Sequence, residues 1–435
     1  MSGSSTRAAR VVEELAERLA DPEAVAAAAV DDSRGESVPP WFPHSLSHGH
    51  AGIAVLHAEL GHTRRRFRAI AHEHLRRAVG DTGGTSFRGA FDGVGAAASA
   101  ARVASGHGDY GSILDRLDEH LIARSERLAT AQELEAGSAE PVAFETIDVV
   151  VGLSGIGRYL LHRREKSGDP RDTALRAALR ALTTLRHPRT VEGTSVPGWW
   201  YDASSSLVEG PEFAHGHANL GLAHGVSGPL ALLSVAWRDG VRVPDQAETI
   251  RYVAEWLVHH RLQDRAGPYW PPHLGLGHYT DPGAHPVPAA NRPSWCYGAP
   301  GIARALDLAG QALGVERWRG LAVEAVRAVT RRPLEEWGIV DSGLCHGWAS
   351  ALYLLLLFEI RHPEAGLGPV VDETAHQLLE RFDSTAPFGY RNTRTTNQVP
   401  DPGLLEGAAG IALALHAYAT RSLPASGWDT LLLLD

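Results

Sequence analysis

The sequence predicts an all-α fold: an α/α toroid of seven outer and inner helix pairs, with room for a small strand-containing insertion. Three observations predict it. One glycine phrase recurs along the chain, a helix apolar almost all round follows each copy, and an amphipathic helix precedes each copy. At 435 residues the chain is long for one domain. Repeat architectures often run this long as one unit. The chain is therefore read as a single domain over 1–435, with 1–40 supplying an N-terminal outer helix and a linker.

The phrase is Gly-x-x-Gly. It stands at Gly49 to Gly52, Gly152 to Gly155, Gly225 to Gly228, Gly298 to Gly301 and Gly407 to Gly410, with degenerate copies at Ala90 to Gly93 and Gly347 to Ser350. Glycine suits such turns because it permits left-handed backbone and close approach of neighbouring chain. The runs that follow, such as Ala351 to Phe358 and Ile411 to Leu415, are apolar on every side, as a helix buried all round must be. These form the inner layer. The outer layer is read at Arg7–Leu19, Arg64–Ala78, Ile113–Ala129, Asp172–Leu185, Ala247–Leu262, Glu316–Arg331 and Glu373–Phe382. Within Glu316–Arg331, Trp318, Ala322, Ala325 and Val329 recur at three- and four-residue steps while Glu324, Arg327 and Arg331 fall elsewhere.

Pro/Gly-rich stretches separate the pairs at Asp31–Pro43, Pro188–Ala218, Pro268–Pro293 and Ser384–Pro402, longer than ordinary connections. Pro188–Ala218, with Trp199, Trp200 and Tyr201, is where short strands are expected.

Composition narrows the function. A formal charge of -10, with no basic stripe, excludes a surface built to neutralise a phosphate backbone. Met1 to Arg10 lacks a signal-type apolar core, and Ala351 to Phe358 falls far short of the roughly 20 residues a bilayer-spanning helix needs. A cytoplasmic protein is expected. A chain with one methionine has kept two cysteines, Cys296 and Cys345. In a reducing compartment they are inert core residues, a metal site or a nucleophile rather than a disulfide.

Both cysteines open repeat turns, Trp295-Cys296-Tyr297-Gly298 and Leu344-Cys345-His346-Gly347. If the turns share one rim, Cys296, Cys345 and His346 converge. Two thiolates and an imidazole suit zinc, and three protein ligands leave a fourth position open, as in catalytic sites. Outside the repeat, two buried structural cysteines would be the better reading; within it, zinc is. Such a site can bind a thiol and lower its pKa. Addition of that thiol to an electrophilic carbon then needs a proton donor.

His224 stands immediately before the fourth turn, as His346 does before its own, and an imidazole donates and accepts protons near neutrality. The chain has 23 histidines, and His48 holds the same offset in the first turn, so position alone proves nothing. Asp148 is a lone carboxylate in an apolar run entering the third turn. Buried, it needs a partner: orienting an imidazole explains it, and local capping is the alternative.

Together these residues resemble the lanthionine synthetase C-like cyclases over nearly the whole chain. The pieces that carry the resemblance are Trp295 to Gly301, Cys345-His346-Gly347, Ala223 to Gly228, Asp148 leading to Gly157, and the ending from Trp428. The resemblance implies zinc held by Cys296, Cys345 and His346, and addition of a peptide cysteine to dehydroalanine or dehydrobutyrine to form a thioether ring. It implies an acid/base pair of His224 and Asp148, with Arg292 and Tyr297 as further polar residues near the metal and Arg292 placed to stabilise enolate charge. Ser350 and Ala90 depart from the glycine pattern at scaffold positions. With no fused kinase, lyase or dehydratase region read, the implied partners are a dehydrated precursor peptide and a separate dehydratase. Two other classes compete: a non-catalytic glutathione- or peptide-binding adaptor, and a prenyltransferase-like zinc enzyme. The seven pairs and the adjacent Cys-His disfavour the second.

Overall fold

The computed structural model describes residues 3–32, 41–80, 88–106, 110–135, 143–165, 167–202, 208, 210–284, 289–391 and 399–435. Residues 33–40 of the Asp31–Pro43 connection and 392–398 of the Ser384–Pro402 connection lie outside them. Backbone contacts group the chain into two compact units, Met1–His120 with Pro293–Trp295 and Gly338–Asp429, and Leu121–Arg292 with Cys296–Trp337 and Thr430–Asp435.

In the first unit the inner helices are α3 (His50–Leu60), α5 (Gly93–Ala104), α15 (Trp348–Arg361) and α17 (Ala408–Thr420). Every residue of α3 and α5 is buried, which their alanine-rich sequences allow because small side chains let neighbouring helices approach closely. The outer helices are α1 (Gly3–Arg18), α4 (Arg66–Gly80) and α16 (Gly368–Glu380), with α2 (Pro22–Asp32) against α4. α6 (Gly111–Glu135) is divided between the units.

In the second unit α8 (Leu153–Arg163), α10 (Ser227–Arg238) and α13 (Ala299–Leu313) are inner, and α9 (Pro170–Thr183), α11 (Gln246–His259) and α14 (Glu316–Thr330) are outer. The C-terminus is tied down by two inner-helix arginines: Arg304 Nε donates to Leu434 O (2.8 Å) and Arg158 Nε to Asp435 O (2.9 Å). The remaining helices, α7 (Phe144–Ile147) and α12 (Leu276–Thr280), are short.

Each expected outer helix is present, but for α1, α4, α9, α11, α14 and α16 the closest partner differs from the one its place in the phrase suggests. α4 packs most on α3, α9 on α8, α14 on α13 and α16 on α15, so an inner helix pairs with the outer helix that follows it. α1, which precedes the first inner helix, packs instead on the last, α17.

Strands occur where they were expected and beyond. β1 (Arg189–Val191) pairs with β2 (Thr194–Val196), and β3 (Trp200–Tyr201) with β4 (His217–Asn219). β5 (Leu262–Gln263) pairs with β6 (Pro268–Tyr269), while β7 (His273–Gly275) extends the β3–β4 sheet. All pairings are antiparallel.

The glycine phrase serves close approach more than left-handed backbone. The first glycine is extended at Gly49, Gly152, Gly298, Gly347 and Gly407. A Cβ on Gly347 would sit 2.2 Å from Asp341 Oδ1 and 2.3 Å from Gly343 N, so any side chain there would break the turn.

Candidate metal and proton-transfer site

Four of the turns before the inner helices share one device. Asp148, Asn219, Asp341 and Asp401 each accept, through Oδ1, the backbone N–H two residues on, at 2.6, 3.0, 3.1 and 2.7 Å. These are Asx turns, which Asp and Asn form alike. At Asn219, Asp341 and Asp401 the residue's own carbonyl also accepts the N–H seven residues on, from Val226, Trp348 and Ala408.

In the second unit this device assembles a buried His–Asp pair. Asp148 is fully buried; its Oδ1 also accepts from Val151 N–H (2.7 Å), and its Oδ2 lies 2.5 Å from His224 Nδ1. Val149 N–H donates to Ala223 O (2.9 Å), and Tyr201 Oη donates to His224 O (3.0 Å), so backbone and side chain both lock the pair. Leu222 N–H donates to Cys296 O at 2.9 Å, which brings the fifth turn against the fourth. Tyr297 follows, its ring 5.8 Å from that of His224 and 5.1 Å from that of His273, centroid to centroid. Arg292 is half-buried on the coil leading to Cys296, its N–H donating to Asn291 Oδ1.

Burial alone would depress the His224 pKa. The charge and hydrogen bond of Asp148, helped by Cys296, more than offset it, so the imidazole is held above its usual value. Its neighbour His273 is pushed down to about 3, chiefly by burial and then by His217 and His224. Tyr201 is driven well above 10 by burial, with Asp148 and Tyr297 adding to it, and stays a phenol that donates.

In the first unit Cys345 and His346 enter α15. Cys345 N–H donates to Leu405 O (2.8 Å) and Leu405 N–H to Ser47 O (3.1 Å), which places the sixth, seventh and first turns side by side. Ser350, a departure from the glycine pattern, links Trp295 to the sixth turn, because its Oγ accepts Trp295 N–H (2.8 Å) and donates to Cys345 O (3.2 Å). It fastens the residue preceding Cys296 to the turn that carries Cys345. Both cysteines are buried and unbridged. Two thiols and one imidazole are the borderline-soft donors that suit zinc.

His48, which shares the offset of His224, has its own carboxylate: its Nδ1 is 2.5 Å from Asp401 Oδ2. Sequence reasoning missed Tyr201, Asp341 and Glu406. For the last two a signal existed, because Asn219 to Gly225, Asp341 to Gly347 and Asp401 to Gly407 share the pattern Asx-x-Gly-x-x-x-Gly. His224, His346 and Glu406 hold the same place in it.

Buried and amphipathic helices in repeat, with a buried His–Asp pair and an unbridged Cys345-His346 turn each at the entry to an inner helix, define the class as a helical-repeat protein with a candidate site at its turns. The model of the family described as "Lanthionine synthetase C-like protein" matches residues 40–433. The chain belongs to that family and, with it, to the lanthionine-forming cyclases. It is 22% identical over 330 residues to "Nisin biosynthesis protein NisC" of Lactococcus lactis subsp. lactis, covering 75% of this chain and 72% of that protein. The solved structure of "Nisin cyclase" superposes with a TM-score of 0.75 at 20% identity, covering 95% of this chain and 96% of that one, and it shows the fold, the α/α toroid. No helix among the described residues is long and apolar enough to cross a membrane.

Proposed function

We propose that this protein is a zinc-dependent peptide cyclase that adds cysteine thiols to dehydroalanine or dehydrobutyrine in a dehydrated precursor, closing lanthionine and methyllanthionine rings. The observation that carries the reading is the family match over residues 40–433 together with the buried His224–Asp148 pair.

Cys296, Cys345 and His346 would hold the zinc. When bound, the metal supplies a Lewis acid that keeps an incoming thiol as thiolate at neutral pH. The chain's own residues handle the rest. Attack of sulfur on the β-carbon leaves an enolate, which is complete only when the α-carbon takes a proton. His224 supplies it, because Asp148 raises the ring's affinity for a proton and orients it through Nδ1. Asp148 is a positioning residue, as the carboxylate of a His–Asp pair is elsewhere. Tyr297 borders His224, and Arg292 stabilises charge on the enolate oxygen. A dehydratase provides the precursor.

Purified without chelators, the protein is expected to carry about one zinc per chain. Incubated with a dehydrated, cysteine-containing precursor, it should abolish alkylation of the thiol with no change of peptide mass. His224→Ala should keep the metal and lose turnover. A metal-free preparation with full activity overturns the zinc reading, and normal cyclisation by His224→Ala removes the histidine from the mechanism.

A further inference from the structure

The Asx turns contain an asymmetry that the turn itself does not explain. Only Oδ1 is needed to close each one, and Asn219 shows that an amide closes it as well as a carboxylate does. Yet three of the four are aspartate, and in all three the second oxygen faces an imidazole. Asp148 Oδ2 faces His224 and Asp401 Oδ2 faces His48, both at 2.5 Å, and Asp341 Oδ2 faces His346 at 3.5 Å. The charge is kept where a ring needs it.

At His346 the arrangement is doubled. Glu406 Oε2 lies 3.6 Å from the same ring nitrogen, Nε2, on which Asp341 converges. Glu406 reaches it because Cys345 N–H is bonded to Leu405 O, which presses the seventh turn against the sixth. The His346 side chain is 5% exposed, that of Asp341 4% and that of Glu406 13%, so neither acid is there as a solvated surface charge.

An imidazole with two carboxylates at Nε2 is held with its proton on that nitrogen, because an N–H between acidic oxygens is favoured and a lone pair there is repelled. We infer that Asp341 and Glu406 are positioning residues that fix His346 as the Nε2–H tautomer, leaving Nδ1 as its donor to the metal. The inference rests on the zinc reading given above and deepens it. It assigns two residues that ligate nothing themselves, and it separates Nε2 from the donor role. The two acids also bring negative charge next to the ring. Partners of this kind typically change metal affinity by about ten- to a hundredfold.

The test uses the full chain and zinc itself, followed by competition with a chromophoric chelator. Asp341→Asn keeps the Asx turn, on the precedent of Asn219, and removes only the charge facing the ring; Glu406→Gln does the same from the other side. Each should weaken zinc by about ten- to a hundredfold, and the double variant more. In the cobalt-loaded proteins the sulfur-to-cobalt charge-transfer bands should persist at saturation while the d–d bands shift, a change that loosened packing alone does not produce. Asp401→Asn, which removes the same charge from the sister turn facing His48, should leave zinc affinity and spectrum as in the wild type.

Wild-type affinity in both Asp341→Asn and Glu406→Gln overturns the inference, as does an equal loss in Asp401→Asn. If Cys296→Ser with Cys345→Ser still binds one zinc tightly, Asp341, His346 and Glu406 form a ligand set of their own and the positioning role fails. A wild-type protein that binds no zinc sinks the cyclase site first, and so is told apart from these outcomes.

Discussion

Replacing Asp148 by Asn removes one charge from the protein interior and little else. Asn can keep Oδ1 as acceptor for the Val150 and Val151 N–H groups, as Asn219 does in its own turn, so the entry to α8 should survive. The amide then turns its NH2 toward His224 Nδ1, where Oδ2 stood at 2.5 Å. The ring must present a lone pair there, which excludes the imidazolium, and the charge-assisted bond is lost. A hydrogen bond to a charged group contributes about 1.5–3 kcal/mol, and about 1.4 kcal/mol is a factor of ten, so the protonated donor becomes roughly ten- to a hundredfold scarcer.

The pH dependence has a definite sign. In the wild type Asp148 outweighs burial and holds the His224 pKa above its ordinary value, so the acid form persists as pH rises. In the variant burial acts against the charged ring with only Cys296 opposing it, and the alkaline limb of the rate profile moves to lower pH. Single-turnover loss of alkylatable thiol in a dehydrated precursor, measured from pH 6 to 9, reads both effects. A rate within twofold of wild type refutes the reasoning. So does a slower rate whose alkaline limb has not moved.

Other perturbations probe the scaffold. Ser350→Ala strands the buried Trp295 N–H, which should cost about 1–3 kcal/mol in urea unfolding, and Ser350→Gly should recover none of it; a loss under about 0.5 kcal/mol in either contradicts the cross-link. Gly221→Ala places a Cβ 2.4 Å from Cys296 O and 2.7 Å from Tyr297 Cδ1, so the fifth turn must shift. That variant should fold with a loss of about 1–3 kcal/mol and retain zinc poorly, and undiminished zinc retention would contradict it.

The histidines buried between α1, α3 and α4 predict acid sensitivity. His74 Nδ1 is 3.1 Å from His50 Nδ1, its Nε2 is 2.9 Å from Leu19 O, and its ring stacks on His57. Burial comes first among the causes that lower His50 to about 4 and His74 to about 3, with Arg77 and His44 adding at His50 and the neighbouring imidazoles at His74. Both rings stay neutral in the fold while the unfolded chain takes up protons near 6.5. Stability is therefore intact above that pH and falls below it, by up to about 1.4 kcal/mol per pH unit for each ring. Urea midpoints should drop between pH 6.5 and 4.5 and drop less steeply in His74→Gln; parallel slopes would remove the cluster as the cause.

Much of this was legible because it is local. A Gly-x-x-Gly turn, an apolar run and a three-and-four periodicity can each be read within about twenty residues, and they located the outer and inner helices to within a few positions. The same locality hid the pairing. Periodicity shows which face of α1 is apolar, but not that the face closes over α17 at the far end of the chain. Short strands such as β5 and β7 were invisible for another reason, since two or three residues carry no measurable alternation.

The sequence by itself determined the helical repeat, the scarcity of sulfur, the place of both cysteines at turns and the family. Those are properties of residue type and short-range order. Only the tertiary structure decided that Asp148 meets His224, that Ser350 ties Trp295 to the Cys345 turn, and that Asp341 and Glu406 meet at one nitrogen of His346. Each depends on which turns hydrogen-bond side by side after the helices have packed. No spacing along the chain encodes that, because the contacts are set by burial of helix faces far apart in sequence.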